Sequence, residues 1–380
     1  MSILILGSGQ LARMMALAAY PLGLNVAAVD VNTLDVVNPI TKAVIDVSLE
    51  QAIEAAQAIS VEFEHIPQDL LDKVNASGKL KPSIESIMAG ADRVKEKSLL
   101  SGLDIANCAY NIITHVDQLD SAVENLGEKL IIKASRDGYD GYGQWRLATG
   151  ADLPELKAQL SQLDLEKVPL VAEKMLKFDR ELSLVGVRDH KGNIVFYPLA
   201  ENLHHQGQLS VSIAPAPKVD EKLINQAQGI FAKLAERLNY IGVLAVEFFQ
   251  MGEQLLVNEI APRVHNSGHW SMQGADTCQF DNHIRAIAGL PLGSTCVLSP
   301  TAMINIVGYD DFSKELLSIS GSHLHWYDKT VRPKRKMGHL NVCADSYAAL
   351  GQKLLDLAKY FPEEHFPLLK KEATRLLGLD

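Results

Sequence analysis

Cysteine is scarce in this sequence, with four residues among 380, at positions 108, 278, 296 and 343. They form no C-x-x-C pair and no spacing typical of zinc ligands, and a chain of this length does not need disulfide bonds to stabilise its core. We therefore expect a protein of a reducing compartment, the cytoplasm.

Long apolar runs are also missing from the sequence. The first run, residues 3–6, is too short for a secretory signal and follows no basic residue, and the second, residues 12–29, is interrupted by Arg13, Pro21 and Gly23. This second run is typical of a helix, a turn and a strand rather than of a membrane span. We therefore expect neither export nor a membrane partner.

Positive charge is in deficit, because 36 Lys and Arg residues stand against 46 Asp and Glu residues, a net charge of -10. This balance argues against general binding to nucleic acid or anionic lipid, so any bound anion must meet a local positive patch. With 47% hydrophobic residues, the chain is long enough to bury a large core and to divide into two or three domains. We expect a globular enzyme.

The N-terminal part alternates strands and helices. Strands are predicted at residues 3–6, 25–30, 43–47 and 59–63, with a helix at 10–20. This alternation predicts a small α/β domain with a mostly parallel sheet over residues 1 to about 85. Glu62 and Glu64 lie at the C-terminal end of the last strand, at the edge of the sheet where such domains bind ligands, and a solvated strand end is the alternative.

A glycine pattern lies at the first turn of this domain. Gly7, Gly9 and Ala12 form G-x-G-x-x-A, and Asp30 ends the second strand, as in a dinucleotide-binding fingerprint. Any close packing of a helix on a strand selects the same glycines. An NAD-dependent oxidoreductase therefore stays open as an alternative function.

Beyond Asp92, which we expect to cap a helix, longer strands and hairpins prevail. The predicted elements are strands at 130–134, 169–174, 181–188 and 194–201, a helix at 220–239, a hairpin at 242–262, a strand-rich block at 301–345 and an amphipathic tail.

A glycine-rich loop, residues 136–144, follows the strand that carries Lys133. Its glycines offer bare backbone N–H groups to a phosphate, and the lysine adds a point charge. We interpret the loop as a phosphate-binding lid, and a long hairpin turn is the alternative.

Whether two glutamates of the predicted hairpin lie opposite each other depends on the strand register. A three-residue loop would place Met251 opposite Leu255. In the same register Glu247 would lie opposite Glu259, and like charges so close are unfavourable unless a cation lies between them. Magnesium is the candidate, because it prefers hard oxygen ligands. With a four-residue loop, Asn258 would lie opposite Glu247 instead.

Two polar runs lie beyond the hairpin strands. Residues 261–270 contain Arg, His, Asn and Ser and suit the binding of an anion near the metal, whereas their histidines have no partner at zinc spacing. Residues 329–336 hold five basic residues and fit a substrate phosphate. A nucleic-acid patch is the alternative, but no aromatic residues interleave with these charges.

In this order the motifs resemble those of the ATP-grasp superfamily, and within it the N5-carboxyaminoimidazole ribonucleotide synthetase family of purine biosynthesis. The resemblance covers residues 1 to about 345. It is carried by segments 7–14 (GSGQLARM), 62–65 (EFEH), 92–97 (DRVKEK), 138–144 (GYDGYGQ), 201–204 (ENLH), 258–270 (NEIAPRVHNSGHW) and 327–339 (YDKTVRPKRKMGH).

The resemblance implies an architecture of mixed α/β and α+β type. It implies an N-terminal Rossmann-like domain over residues 1–90, an ATP-grasp domain over 91–300 with a lid subdomain at about 110–175, and a small strand-rich C-terminal domain over 301–380. It also implies a homodimer.

The implied reaction is phosphorylation of bicarbonate by ATP with Mg²⁺ to carboxyphosphate, followed by transfer of CO2 to the amine of aminoimidazole ribonucleotide. ATP would be bound by Arg93, Lys133, Gly138, Tyr139, Asp140, Gly141, Gly143, Gln144, Glu173, Lys174, Glu181, His204, Asn258 and Glu259. The ribonucleotide would be bound by Gln10, Leu11, Glu62, Glu64, Tyr139, Asn266, Lys329, Arg335 and Lys336. Glu247 and Glu259 would hold Mg²⁺, and the candidate catalytic residues are Arg263, Asp140 and Glu64, with the acceptor of the amine proton left open.

The sequence departs from the family pattern at three positions. Ser8 and Ala12 stand where the family usually has glycine, and Tyr142 stands where the lid usually has a basic residue. The tail beyond residue 345 has no assigned role. The nearest rival is a formate-dependent glycinamide ribonucleotide transformylase, which shares the ATP clamp, and a catalytically silent nucleotide-binding protein is a further alternative.

Overall fold

The computed structural model describes residues 2–136 and 143–379. Within these residues, no helix combines the length and the apolar character needed to cross a lipid bilayer. The lid positions Gly138, Tyr139, Asp140 and Gly141, together with Tyr142, lie outside the described residues.

Residues 2–102 form a four-stranded sheet flanked by helices. Its elements are β1 (Ser2–Leu6), α1 (Gln10–Ala19), β2 (Asn25–Val29), β3 (Val36–Val37), α2 (Leu49–Ala55), β4 (Ala58–Val61), α3 (Gln68–Asn75), α4 (Ile84–Ala91) and α5 (Arg93–Gly102). The strand order is β3-β2-β1-β4, with β1 parallel to both neighbours, which confirms the predicted mostly parallel sheet. Both faces of β1 are buried, which explains its uninterrupted apolar sequence.

The predicted strand at residues 43–47 is wrong. Only a single bridge pairs Val44 with Val37. Asn38 folds the chain into a tight turn by accepting the N–H groups of Ile40 and Thr41, and Lys42 adopts a left-handed conformation. The segment therefore leaves the edge of the sheet after one residue pair.

Residues 110–174 form a small antiparallel sheet with two helices. Its elements are β5 (Tyr110–Ile113), α6 (Gln118–Leu126), β6 (Leu130–Ala134), β7 (Gln144–Leu147), α7 (Leu153–Leu160) and β8 (Leu170–Lys174), in the strand order β5-β8-β6-β7. The two helices and one face of the sheet enclose a separate apolar core. We call this unit the lid.

The remaining strands join in one nine-stranded sheet. Its elements are β9 (Arg180–Arg188), β10 (Ile194–Phe196), β11 (Ala200–His205), β12 (Gln208–Ala214), α8 (Glu221–Arg237), β13 (Gly242–Met251), β14 (Gln254–Ala261), α9 (Ser271–Gly274), α10 (Gln279–Ala288), β15 (Thr301–Val307), β16 (Ser322–Trp326), β17 (Lys336–Cys343), α11 (Tyr347–Leu357) and α12 (Leu369–Leu377). The order is β14-β13-β9-β11-β12-β15-β17-β16, with β10 paired to β9. The pairing of β12 with β15 joins the central strands to the C-terminal block.

The predicted single strand at residues 194–201 is wrong, because the chain leaves β10 before Pro198 and re-enters the sheet at Ala200. Proline has no N–H group for a ladder hydrogen bond, so it ends a strand. The predicted hairpin at residues 242–262 is confirmed as β13 and β14, although β12 was not predicted.

Helix α8 shows which face of the nine-stranded sheet carries chemistry. Asp220 caps this helix by accepting the N–H group of Leu223, and the apolar stripe of the helix packs on one face of the sheet. Val246 and Phe248 of β13 point into that core, so the alternate residues Glu247 and Phe249 point to the opposite face.

The C-terminal tail has a structural role that the sequence did not assign. Helices α11 and α12 pack with strands β15 and β17 around an apolar core of their own. Arg375 of α12 also reaches Glu201 of β11, at 3.2 Å, and pairs with the buried Glu372. The tail is therefore part of the folded domain.

Candidate active site

Two cavities lie on the polar face of the nine-stranded sheet, and both are lined by His265, Asn266 and Lys336. The lid cavity, of about 410 Å³, lies between the lid and strands β9, β11, β13 and β14. The loop cavity, of about 540 Å³, lies between the glycine turn at residues 7–9 and the basic segment before β17. The shared residues make them two compartments of one site.

The lid cavity brings together seven of the fourteen predicted ATP-binding residues, together with Glu247, which was predicted as a metal ligand. Its lining includes Arg93, Lys133, Gln144, Glu181, His204, Glu247, Asn258 and Glu259. The His204 Nδ1 atom lies 3.1 Å from a carboxylate oxygen of Glu181. Gly143, Glu173 and Lys174, also predicted here, are not among the lining residues of this cavity.

Glu173 lies beneath the lid cavity between two lysines. Its carboxylate oxygens lie 2.7 Å from the Lys133 ammonium and 2.6 Å from the Lys97 ammonium. Burial would raise the pKa of Glu173, but the two lysines outweigh it and lower the pKa to about 2. The carboxylate therefore holds Lys133 in place at the cavity wall.

The two hairpin glutamates lie opposite each other, as the sequence predicted for one of its two registers. The predicted pairing of Met251 with Leu255 is wrong, because Met251 pairs with Gln254 across a two-residue loop. A β-bulge at Asn258 then shifts the register by one residue and restores the pairing of Glu247 with Glu259.

The surroundings of these glutamates fit a hard cation. Ligand atoms of Glu247, Glu259 and His265 lie within 4.8 Å of one another. Burial, with the Glu259 charge as the second cause, raises the pKa of Glu247 to about 8. The side-chain oxygen of Asn258 is buried without a protein partner among the described residues. A cation at this point would relieve the repulsion between the carboxylates.

The loop cavity collects the predicted ribonucleotide-binding residues. Its lining includes Gln10, Leu11, Glu62, Asn266, Lys329, Arg335 and Lys336, and also Arg263. Lys329 and Arg335 lie in the segment before β17, and Lys336 begins that strand. The Lys329 ammonium donates to the Gln10 side chain at 2.5 Å. A phosphate would bind at this basic end of the cavity.

Arg263 is held in the loop cavity by Glu64, whose carboxylate lies 2.9 Å from the guanidinium Nε. Glu64 itself is buried and is not a lining residue of the loop cavity. Nearby, the ring of His265 hydrogen-bonds to Ser267 at 2.9 Å, and burial lowers the pKa of His269 to about 3. Burial likewise lowers the pKa of His265, so the fixed cation Arg263 lies beside histidines that stay neutral.

Glu62 explains the glycine pattern of the first turn. Its carboxylate accepts the N–H groups of Gly9 and, at 2.9 Å, of Leu11, at the N-terminus of α1. These are the groups that would bind a dinucleotide pyrophosphate. A Cβ at Gly9 would lie 2.3 Å from a Glu62 oxygen, so glycine is required there to admit a carboxylate of this chain.

Replacing Gly9 by alanine is therefore expected to displace the Glu62 carboxylate. We expect a loss of about 0.5–2 kcal/mol in the free energy of unfolding, because α1 loses its N-terminal acceptor. We also expect weaker binding in the loop cavity, measured as a higher KM for the ligand held there.

The matched control for this substitution is Gly229→Ala in α8, where no described atom beyond the neighbouring residues and the backbone of the helix lies within 4 Å of the added methyl group. This variant is expected to stabilise the protein by about 0.5–1 kcal/mol, because alanine restricts the unfolded chain and favours helix. Equal stability of the two variants would contradict the role of Glu62.

Several lining residues of the lid cavity were missed from the sequence. Arg146 shares a strand face with Gln144, and Phe249 shares one with Glu247, so a period of two residues could have found both. Phe178 stacks on Phe249 with ring centroids 4.5 Å apart. It lies between β8 and β9, where no periodicity gives a signal.

Family comparisons agree with this arrangement. Residues 1–90 match a ribonucleotide synthetase preATP-grasp domain, residues 98–280 an ATP-grasp domain, and residues 301–353 a phosphoribosylaminoimidazole carboxylase C-terminal domain. The fold and the site therefore define an ATP-dependent ligase of the ATP-grasp class, as the sequence predicted.

Individual relatives show to which family within this class the chain belongs. The chain is 50% identical to the N5-carboxyaminoimidazole ribonucleotide synthase of Vibrio cholerae, over 99% of this chain and 100% of the relative. The crystal structure of the synthetase from Thermus thermophilus matches with a TM-score of 0.86 and 38% identity, over 95% of this chain and 99% of that one. A synthase from Aspergillus clavatus in complex with ADP and 5-aminoimidazole ribonucleotide matches with a TM-score of 0.80 and 26% identity, over 98% of both chains. The chain belongs to the N5-carboxyaminoimidazole ribonucleotide synthase family.

Proposed function

We propose that this protein uses ATP and bicarbonate to carboxylate the exocyclic amine of 5-aminoimidazole ribonucleotide, in the synthesis of purines. The observation that carries the proposal is the junction of the two cavities at His265, Asn266 and Lys336. A nucleotide in the lid cavity and a ribonucleotide in the loop cavity would meet there. The relative crystallised with ADP and the ribonucleotide supports this pair of ligands.

The reaction proceeds in two steps. An oxygen of bicarbonate attacks the γ-phosphorus of ATP, and ADP leaves. Phosphate then leaves carboxyphosphate, the CO2 unit forms a bond to the amine nitrogen, and the amine gives up a proton. Such chemistry needs positioning and neutralisation of charge, which Lys133 provides in the lid cavity and Arg263 in the loop cavity.

Glu247 and Glu259 would hold Mg²⁺ in this scheme, with Asn258 and His265 beside them. An ion held there would supply positive charge to neutralise the phosphates. Glu64 orients Arg263 through their 2.9 Å contact, and Glu173 orients Lys133. The sequence leaves the acceptor of the amine proton open between a glutamate of the site and Asp140.

We also propose the domain division that the sequence predicted, residues 1–90, 91–300 with the lid at about 110–175, and 301–380. The separate core of the lid supports this division. The boundary at residue 300, by contrast, falls within one continuous sheet, because β12 pairs with β15. A homodimer in the cytoplasm completes the proposal. The four free cysteines are in keeping with a reducing compartment.

Phosphate release from MgATP tests the proposed reaction, with the ribonucleotide and bicarbonate added separately and together. We expect strong release only with both, and labelled bicarbonate in the product. Activity with formate and glycinamide ribonucleotide instead would move the assignment to the neighbouring ligase. No turnover with any carboxylate would overturn the proposal.

The Lys329 ammonium gives the proposed ribonucleotide site a pH dependence. Burial, and then the nearby Arg335, lower the pKa of Lys329 to about 8. Above this pH the free enzyme loses a positive charge, so the KM for the ribonucleotide is expected to rise. Lys329→Met should raise the KM about 10- to 100-fold at neutral pH, because a charge-assisted hydrogen bond is lost.

Lys329→Arg is the control for this pH dependence, because arginine keeps its charge throughout the accessible range. The rise in KM above pH 8 should disappear in this variant. A profile that stays the same in Lys329→Arg as in the wild type would assign the titration to another group.

A further inference from the structure

Strand β14, which carries Glu259, is the terminal strand in the order of the nine-stranded sheet. Its outer edge lies next to the two hairpin carboxylates. The outward N–H groups of an edge strand need partners from outside the sheet when they are buried. Two such contacts flank Asn258, and a third, from the Leu255 N–H to the side chain of Gln226 at 3.1 Å, lies further along the strand. The Val257 N–H donates to the carbonyl of Ala106 at 2.9 Å, and the Ile260 N–H donates to the side chain of Glu96 at 2.6 Å.

The spacing of these two contacts locates the bulge. On a regular antiparallel strand, alternate residues direct their N–H groups outward, but Val257 and Ile260 are separated by three positions. The extra residue at Asn258 accounts for this change, since Phe248 pairs with Val257 and Glu247 pairs with Glu259. Ala106 and Glu96 therefore hold the strand on either side of the bulge.

The bulge decides which side chain reaches the cavity. Without it, Asn258 would pair with Glu247, and Glu259 would turn to the opposite face of the sheet. That face is the apolar core beneath α8, where a carboxylate would be unfavourable. The position of Glu259 thus depends on contacts made outside the hairpin.

Glu96 is a buried residue of α5, with 4% of its surface exposed. It is not among the lining residues of the lid cavity or of the loop cavity. Its helix begins at Arg93, which lines the lid cavity and lies 4.0 Å from Glu259. Glu96 is therefore close enough to support the metal carboxylates and too deep to contact a ligand.

We propose that Glu96 is a positioning residue, whose side-chain oxygen fixes the bulge at Asn258 and thereby holds Glu259 opposite Glu247. The inference rests on the proposed role of Glu247 and Glu259 as ligands of Mg²⁺. We expect the acceptor oxygen that Glu96 offers to the Ile260 N–H, rather than the charge of Glu96, to keep the two carboxylates in register.

Two substitutions of similar size separate these properties. Glu96→Gln keeps an acceptor oxygen, whereas Glu96→Leu removes it. Binding of Mn²⁺ in the presence of ADP, followed by electron paramagnetic resonance, reports on the metal site without turnover. We expect the dissociation constant for Mn²⁺ to rise at least about tenfold in Glu96→Leu and to change less than about twofold in Glu96→Gln.

Hydrogen exchange gives a second readout that does not depend on metal. The Ile260 amide should exchange at least about tenfold faster in Glu96→Leu than in the wild type or in Glu96→Gln, because its acceptor is gone. If Glu96→Leu does not fold, Glu96→Asp takes its place, since the shorter side chain withdraws the carboxyl group from Ile260.

The outcomes separate this inference from the proposed function. Unchanged Mn²⁺ binding and exchange in Glu96→Leu would overturn the role of Glu96, as would equal damage in Glu96→Gln. A wild-type protein that binds Mn²⁺ but does not turn over the ribonucleotide would overturn the proposed reaction and leave the inference standing. If the wild type does not bind Mn²⁺, the proposal that Glu247 and Glu259 hold a metal ion is overturned, and so is the proposed role of Glu96 in supporting them.

Discussion

Replacing Glu259 by alanine is expected to lower kcat for the carboxylation by about 10²- to 10³-fold, because charge stabilisation at a transferring phosphoryl group has this magnitude. Glu259 faces Glu247 across the hairpin and Arg93 across the lid cavity, so its loss removes a ligand from the proposed metal site. Steady-state phosphate release at saturating ATP measures the effect.

The stability of the same variant distinguishes lost chemistry from lost folding. In the absence of metal, the charge of Glu259 contributes to the raised pKa of Glu247. Metal-free Glu259→Ala should therefore unfold at a temperature equal to or above that of the wild type. Glu253→Ala is the matched control on the same hairpin, since Glu253 is exposed and pairs only with Lys222 among the described residues. Activity of Glu259→Ala within tenfold of this control would contradict the metal-ligand role.

The second large effect is expected at Glu173. Glu173→Leu leaves the ammonium groups of Lys97 and Lys133 buried without their shared partner, and breaking a buried ion pair in this way costs about 3–5 kcal/mol. Urea denaturation followed by circular dichroism measures the loss. Catalysis should fall with it, because Lys133 loses the contact that orients it.

An exposed pair of the same lid provides the control. Lys157 lies 2.6 Å from Asp120, whose side chain is 58% exposed. Because solvent screens such pairs, Asp120→Ala should change the free energy of unfolding by less than about 1 kcal/mol. Similar losses in the two variants would show that burial does not set the strength of the Glu173 contacts.

The pH dependence of the Glu173 contribution follows from the same contacts. Its pKa in the folded protein is about 2, below the value of about 4.3 for a glutamate in an unfolded chain. The contribution is therefore fully present above pH 4.3 and is lost as the pH falls towards 2. In Glu173→Leu, this part of the acid sensitivity should be absent.

The sequence predicted the fold best where a single segment determines the structure. The apolar run of β1 and the amphipathic pattern of α8 identify a strand and a helix without any knowledge of the segments they pack against, and both elements are confirmed. The segment around Val44 failed, because a tight turn beginning at Asn38 outweighs its β-propensity. Strand β12 was missed, although Gly207 lies in the two-residue turn before it and apolar and polar residues alternate from Leu209 to Ile213.

The candidate site was predictable in composition but not in geometry. Alternation along β13 places Glu247 on the polar face, which the sequence shows directly. Its pairing with Glu259 depends on a bulge supported by Glu96 and Ala106, more than a hundred residues away, and local patterns do not carry this information. The contact of Glu62 with the glycine turn likewise joins two segments that lie far apart in the sequence.

The continuity of β12 with β15 limits how this protein could be divided into fragments or fused to other proteins. A gene product ending near residue 300 would expose the edge of β12 over four residue pairs, from Val211 to Ala214. It would also uncover the apolar side chains of Val211 and Ile213, which belong to the C-terminal core. An open apolar edge promotes aggregation. The C-terminal block must therefore be engineered together with the central sheet, whereas the lid, with a core of its own, is the more interchangeable module.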